Sequence, residues 1–122
     1  MGVQIGIDLV EIGEIEESLR RHGERFLERV YTPAERAQTG CRAAPLAARF
    51  AAKEATMKAL GRTGEGIGWR SVEVLAAGRE TEIRLAGAAG RLAARRGVSA
   101  LSASLSGDRR LAAAIVVAET EP

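Results

Sequence analysis

Asp8, Arg49, Lys53, Glu54 and Lys58 are the residues whose types and spacing invite chemistry. On a helical wheel at ~100° per residue, Leu46, Phe50, Met57 and Leu60 form one apolar stripe with Lys53 inside it. Arg49 lies at one edge of the stripe, and Glu54 lies at the other with Lys58 a turn further on. The back of this helix is Ala47, Ala48, Ala51, Ala52, Ala55 and Ala59, so no face is cleanly polar. A helix that is apolar or small all round is enclosed, and enclosed charges need a counter-charge, a metal or a charged ligand. Two readings meet that need. In the structural one, Glu54 and Lys58 form an i,i+4 pair contributing about 0.2–0.5 kcal/mol, and Lys53 carries its ammonium outward along its stem. In the functional one, a carboxylate and several cations converge on a phosphate-bearing ligand and its metal. Mg²⁺ suits such a site, because it takes one or two carboxylates and completes an octahedral shell with phosphate oxygens and water. Asp8 offers the second carboxylate. An aspartate within an Ile/Val/Leu-rich strand disfavours the sheet unless it has a task, although it would also serve as a turn residue at a strand end.

The elements that must position these residues follow from hydrophobic period and punctuation. Val3, Ile5, Ile7 and Leu9 alternate with Gln4, Gly6, Asp8 and Val10, the period of a strand buried on one face, which turns Asp8 to the other. Glu14 to His22 reads as a helix closed by Gly23, and Phe26, Leu27 and Val30 mark a second short apolar pattern. Thr32-Pro33-Ala34-Glu35 combines an N-cap hydroxyl, proline at the first helical position and glutamate at the third, a capping box that starts another helix. After a loop from Thr39 to Pro45, the central helix is expected over Leu46 to Leu60, ended by Gly61. The glycines at 61, 64, 66 and 68 make a loop. Strands at Trp69 to Leu75 and Glu80 to Leu85 form a hairpin around Gly78, Gly87 to Arg96 is helical, and Val98 to Ser106 pairs with Leu111 to Ala118. The order implies a single α+β domain over residues 1–122, with a largely antiparallel sheet packed against the long central helix.

Composition narrows the function classes. At 46% hydrophobic and 28% charged, the chain lies well outside the regime of disordered sequences. Its net charge of +2 and widely separated pairs Arg20/Arg21, Arg95/Arg96 and Arg109/Arg110 carry no nucleic-acid signature, and the scarcity of aromatics argues against a base-stacking surface. Cys41 stands alone, which excludes an intrachain disulfide. Without a signal-peptide pattern or a membrane-spanning run, a cytoplasmic location is expected and a membrane partner is not.

Gly6-Ile7-Asp8-Leu9-Val10-Glu11-Ile12, Tyr31-Thr32-Pro33-Ala34-Glu35, and above all Arg49-Phe50-Ala51-Ala52-Lys53-Glu54-Ala55 with Lys58-Ala59-Leu60-Gly61 resemble the holo-acyl-carrier-protein synthases, small trimeric 4'-phosphopantetheinyl transferases. The likeness extends through Gly66-Ile67-Gly68 and Ser104-Leu105-Ser106 to the last strand. It implies an Mg²⁺ ion held by Asp8 and Glu54 against the pyrophosphate of coenzyme A. A serine of an apo acyl carrier protein would attack, and 3',5'-adenosine bisphosphate would leave. Lys58 would bind a phosphate and stabilise the charge developing on the leaving group, and Arg49, Lys53, Gly66, Ser106 and Asp108 would bind the cofactor-like substrate with it. The resemblance also implies a homotrimer with sites between subunits and an acidic carrier protein meeting basic residues, with Arg20, Arg21 and Arg25 as candidates.

Where the family has Ser-x-Ser-His, this chain has Ser104-Leu105-Ser106-Gly107, and its one histidine, His22, lies elsewhere. Asp108 either takes part of the missing imidazole's role or begins a turn. The family's Gly-Lys-Pro turn stands here as Gly78-Arg79-Glu80. The lost histidine keeps a second reading open, a degenerate relative that binds coenzyme A or a carrier protein without transfer. Hydrolysis through Ser104 or Ser106 lacks a nucleophile-elbow motif, and Cys41 reads as a small loop residue.

Overall fold

A computed structural model describes residues 1–61 and 67–121. In chain order it holds β1 (Gly2–Glu11), α1 (Ile12–His22), α2 (Glu24–Val30), α3 (Pro33–Thr39), α4 (Ala43–Ala59), a 3₁₀ turn (Trp69–Ser71), β2 (Val72–Ala77), β3 (Glu80–Leu85), α5 (Gly87–Arg95), β4 (Val98–Gly107) and β5 (Leu111–Thr120). All pairings are antiparallel and fall into two sheets, β1-β5-β4 and β2-β3. The α+β class is the one expected. α4 begins ahead of Leu46 and takes Pro45 into its first turn, where backbone N–H groups have no intrahelical partner and the missing donor breaks nothing.

The alternation in β1 is real, but its sides are reversed. Val3, Ile5, Ile7 and Leu9 are 54%, 64%, 59% and 66% exposed, whereas Gly6 and Val10 are buried against α4. Close packing explains the inversion. A methyl group built on Gly6 would sit 1.8 Å from the carbonyl oxygen of Ala55, so the strand runs against the helix backbone itself. Only glycine on the strand and small residues on the helix permit that approach. The inner face of β5, Ala112, Ala114, Val116 and Ala118, continues the same surface, and Ala51, Ala52, Ala55 and Ala59 meet it from α4. Asp8 shares the parity of Gly6 and Val10, so the face turned away from the apolar row is the one that addresses the helix.

The capping box forms as expected, with the Glu35 amide donating to Thr32 Oγ1 at 3.2 Å and the Thr32 amide to Glu35 Oε1 at 2.9 Å. α3 then holds the edge of the second sheet with side chains. Glu35 Oε2 accepts from the Val74 amide at 2.8 Å, and the Gln38 amide group exchanges two bonds with the backbone of Ala76, at 2.8 and 3.0 Å. These groups satisfy a strand edge that would otherwise stand open.

Candidate active site

Asp8 lies near the middle of β1, opposite Ala114 of β5, and β1 is an edge strand. α4 crosses beside it. Lys58 Nζ donates to Asp8 Oδ1 at 3.0 Å and to the Ile7 carbonyl at 3.1 Å, in an open cleft bounded by Ile7, Asp8, Leu9 and Lys58. The expected i,i+4 pairing of Lys58 with Glu54 gives way to this cross-element contact. Burial, and next the negative charge of Asp8, push the Glu54 carboxyl above its usual range, while Lys58 pulls it back. Two carboxylates and one ammonium therefore share a single electrostatic neighbourhood built by the β1–α4 crossing. Among the described residues no group of three or more His, Cys, Asp or Glu could hold a metal alone. Two hard oxygen donors fit an ion that draws the rest of its shell from phosphate and water, as Mg²⁺ does.

Arg49 sits a turn and a half earlier on α4, half-buried, with one terminal nitrogen donating to Gln38 Oε1 at 3.2 Å. Its Nε is buried without a partner, an arrangement that costs free energy unless something accepts from it. Burial holds the guanidinium below its usual range, opposed by Glu35. Arg49 borders an open cleft of about 320 Å³ with Ala48, Ser106, Gly107 and Asp108, so three of the expected ligand-binding residues, Arg49, Ser106 and Asp108, come together. Asp108 begins the β4–β5 turn: its Oδ1 accepts from the amides of Arg110 and Leu111 at 2.7 and 2.8 Å, which lowers its carboxyl. Gly66 falls outside the described residues.

Lys53 overturns its expected part. It neither snorkels outward nor reaches a phosphate, because its side chain is 0% exposed and Nζ donates to Glu35 Oε1 at 2.8 Å, the Trp69 carbonyl at 3.1 Å and the Val72 carbonyl at 2.5 Å. An ammonium has three hydrogens, and all three are used. Burial lowers its pKa while Glu35 raises it. Position inside the apolar stripe was the sign of burial. The partner was hidden because Glu35 read only as a helix cap.

The sequence profile of the 4'-phosphopantetheinyl transferase superfamily matches residues 4–116. The chain belongs to that superfamily. A holo-[acyl-carrier-protein] synthase of Methylobacterium sp. is 52% identical over 98% of this chain and 95% of its own length. A second, from Paramagnetospirillum magneticum, is 45% identical over 100% and 99%. The crystal structure of Helicobacter pylori holo-[acyl-carrier-protein] synthase in complex with coenzyme A superposes with a TM-score of 0.85 at 32% identity, covering 94% of this chain and 99% of that one.

Two features mark this phosphopantetheinyl transferase superfamily member. A side chain at Gly107 would put its Cβ 2.9 Å from the Leu111 carbonyl oxygen, so any residue larger than glycine, the family's histidine included, requires the β4–β5 turn to shift. The basic residues are also sorted differently from expectation. Arg20 and Arg21 lie against Glu17, at 2.5 and 4.0 Å, whereas Arg25 lines a cleft with His22, Phe26 and Arg29, of which Arg29 is a cation the sequence had not singled out.

Proposed function

We propose that this chain is a magnesium-dependent holo-acyl-carrier-protein synthase that moves 4'-phosphopantetheine from coenzyme A to a serine of an apo acyl carrier protein. The observation that carries the reading is the convergence of Asp8 from β1 with Glu54 and Lys58 from α4, in a chain whose close relatives bear that name. The Helicobacter pylori relative with coenzyme A bound lends support for the donor. Asp8 and Glu54 would hold the ion. When bound, Mg²⁺ would supply charge neutralisation at the pyrophosphate and between the two carboxylates. Lys58, released from Asp8, would turn its ammonium to the oxygen that leaves with 3',5'-adenosine bisphosphate. Arg49, with its unpartnered buried Nε, would bind a phosphate of the nucleotide end beside Ser106, while Asp108 shapes that wall through its turn. Positioning and charge neutralisation carry most of a phosphoryl transfer, so this set suffices without a nucleophile of the protein's own.

The chain would work as a homotrimer in a cytoplasmic setting. The support is the outward row Val3, Ile5, Ile7, Leu9 and Ile115, a contiguous apolar sheet face of the kind that marks an interface. The single unpaired thiol at Cys41 fits a reducing compartment, and no helix among the described residues is long and apolar enough to cross a membrane. The acidic carrier would dock on the cleft of His22, Arg25, Phe26 and Arg29. A second reading, coenzyme A binding without transfer, is favoured by Gly107. Mixing the protein with coenzyme A, Mg²⁺ and several apo carrier proteins separates them: the expected result is a phosphopantetheine mass gain on a carrier serine, abolished by Asp8→Ala and by Glu54→Ala. Binding of coenzyme A with no gain on any carrier supports the second reading, and unchanged transfer in either variant overturns the site.

A further inference from the structure

Gln38 is exposed, yet its side-chain amide makes three hydrogen bonds to two other elements. Nε2 donates to the Ala76 carbonyl at 3.0 Å, and Oε1 accepts both from the Ala76 amide at 2.8 Å and from Arg49 Nη2 at 3.2 Å. The two bonds to Ala76 fix which end of the amide is which. Reversed, its NH₂ group would face two donors, the Ala76 N–H and the guanidinium. They also fix where Oε1 sits, because both partners belong to the backbone of one β2 residue. Gln38 stands three residues after Glu35 on α3, and Glu35 accepts from the Val74 amide on the same edge of β2, so this face of α3 is held to the strand at both places. Oε1 is therefore a fixed acceptor that reaches across to α4. The group it takes is the guanidinium that borders the cleft of Ser106, Gly107 and Asp108, and Gln38 is not itself among the residues that line that cleft.

An arginine stem has many rotamers, and holding it in one of them before the ligand arrives removes an ordering cost from binding. The guanidinium is planar, so anchoring one terminal nitrogen also limits where its other donors can point. Among those donors is Nε, buried with no partner among the described residues. The anchor is also neutral. A carboxylate in its place would offer the same acceptor but would compete with a phosphate for the positive charge. We propose that Gln38 is a positioning residue for the nucleotide end of coenzyme A: clamped to the Ala76 backbone, its amide holds the Arg49 guanidinium ready for a phosphate without neutralising it. This rests on the function proposed above and on the place given there to Arg49. Gln38 acts through Arg49 alone, on a part of the substrate that does not react. Its loss should therefore raise KM for coenzyme A and leave kcat nearly intact, the pattern of a lost binding contribution common to ground and transition states.

The test is a double-mutant cycle of Gln38→Met and Arg49→Met, with Gln38→Glu as a further variant, each checked for folding by circular dichroism and for stability by thermal melts. In Gln38→Met, KM for coenzyme A should rise roughly three- to tenfold, the worth of one ordinary hydrogen bond, with kcat within about twofold of wild type. With Arg49 already replaced, the same substitution should change KM by less than about twofold, because its path to the substrate is gone. Gln38→Glu should raise KM at least as far as Gln38→Met does. A merely structural role at the edge of β2 would lower the melting temperature in both backgrounds and leave KM where it was. An equal rise in KM in both backgrounds would mean that Gln38 meets the substrate without Arg49. Either result overturns the proposal, as does a wild-type KM in Gln38→Glu or a lost kcat with intact KM. If wild type neither binds coenzyme A nor transfers from it, the functional reading and this role fall together; if wild type is active and the two substitutions act independently, only the role of Gln38 falls.

Discussion

Gly6→Ala puts the crossing that builds the site under the most direct strain. The added methyl would lie 1.8 Å from the Ala55 carbonyl oxygen, 2.8 Å from its carbonyl carbon and 2.9 Å from the Ala59 amide nitrogen. Ordinary contact begins near 3.4 Å, so β1 and α4 must part by about 1.6 Å (3.4 − 1.8) at this point. Every close atom is backbone, so no side chain can swing aside. Overpacking of this kind costs about 1–3 kcal/mol in stability, occasionally more. Asp8 is two residues along the same strand and moves with it, away from Glu54 and Lys58. A misplacement of ~1 Å can lower a rate ~10²-fold, equivalent to roughly 2.7 kcal/mol of transition-state stabilisation. Initial rates of phosphopantetheine incorporation, read by intact-protein mass spectrometry beside thermal melts, should fall by that order in molecules that remain folded. Ala55→Gly should give no rescue, because the obstruction is the Ala55 carbonyl and not its methyl. Wild-type rate and melting temperature in Gly6→Ala would refute the claim that this close approach sets the site.

Removing the guanidinium in Arg49→Met should raise KM for coenzyme A roughly ten- to hundredfold, the worth of a charged hydrogen bond of about 1.5–3 kcal/mol, with little change in kcat; steady-state kinetics decide, and an unchanged KM removes Arg49 from the binding site. For Asp108 the sign follows from its lowered carboxyl: the folded state holds the proton less tightly than the unfolded one, so the turn is stabilised above the ordinary aspartate range and that share is lost as pH falls through the depressed value. Urea midpoints of wild type and Asp108→Ala should therefore differ at neutral pH and converge in acid, and a gap that persists unchanged in acid would contradict the bonds to Arg110 and Leu111. Ile5→Glu, on the exposed face opposite Val117, should turn a trimer into monomers by light scattering after size exclusion; an unchanged mass would mean that this face is not the interface.

What the sequence disclosed and what it hid divide along range. The α3 capping box was legible because Thr32 and Glu35 lie three residues apart and their bonds are local. Asp8, Glu54 and Lys58 stood out because charge in apolar surroundings needs a reason, and the fold brings all three to one crossing. The period of β1 was equally plain, but a period does not say which side is covered. That was decided by Gly6, whose lack of a side chain admits α4 to the less apolar face. Lys53 was misread as a phosphate ligand because its counter-charge lies 18 residues away and its other acceptors are carbonyls, which carry no sequence signal at all.

Crystals grown with coenzyme A and Mn²⁺ in place of Mg²⁺ would locate the ion by its anomalous scattering. One peak is expected between the carboxylates of Asp8 and Glu54, at about the 2.0–2.1 Å oxygen distances of Mg²⁺, with Lys58 turned from Asp8 toward the pyrophosphate. A bound coenzyme A with no peak between those two carboxylates, or with the metal held by other residues, would contradict this expectation.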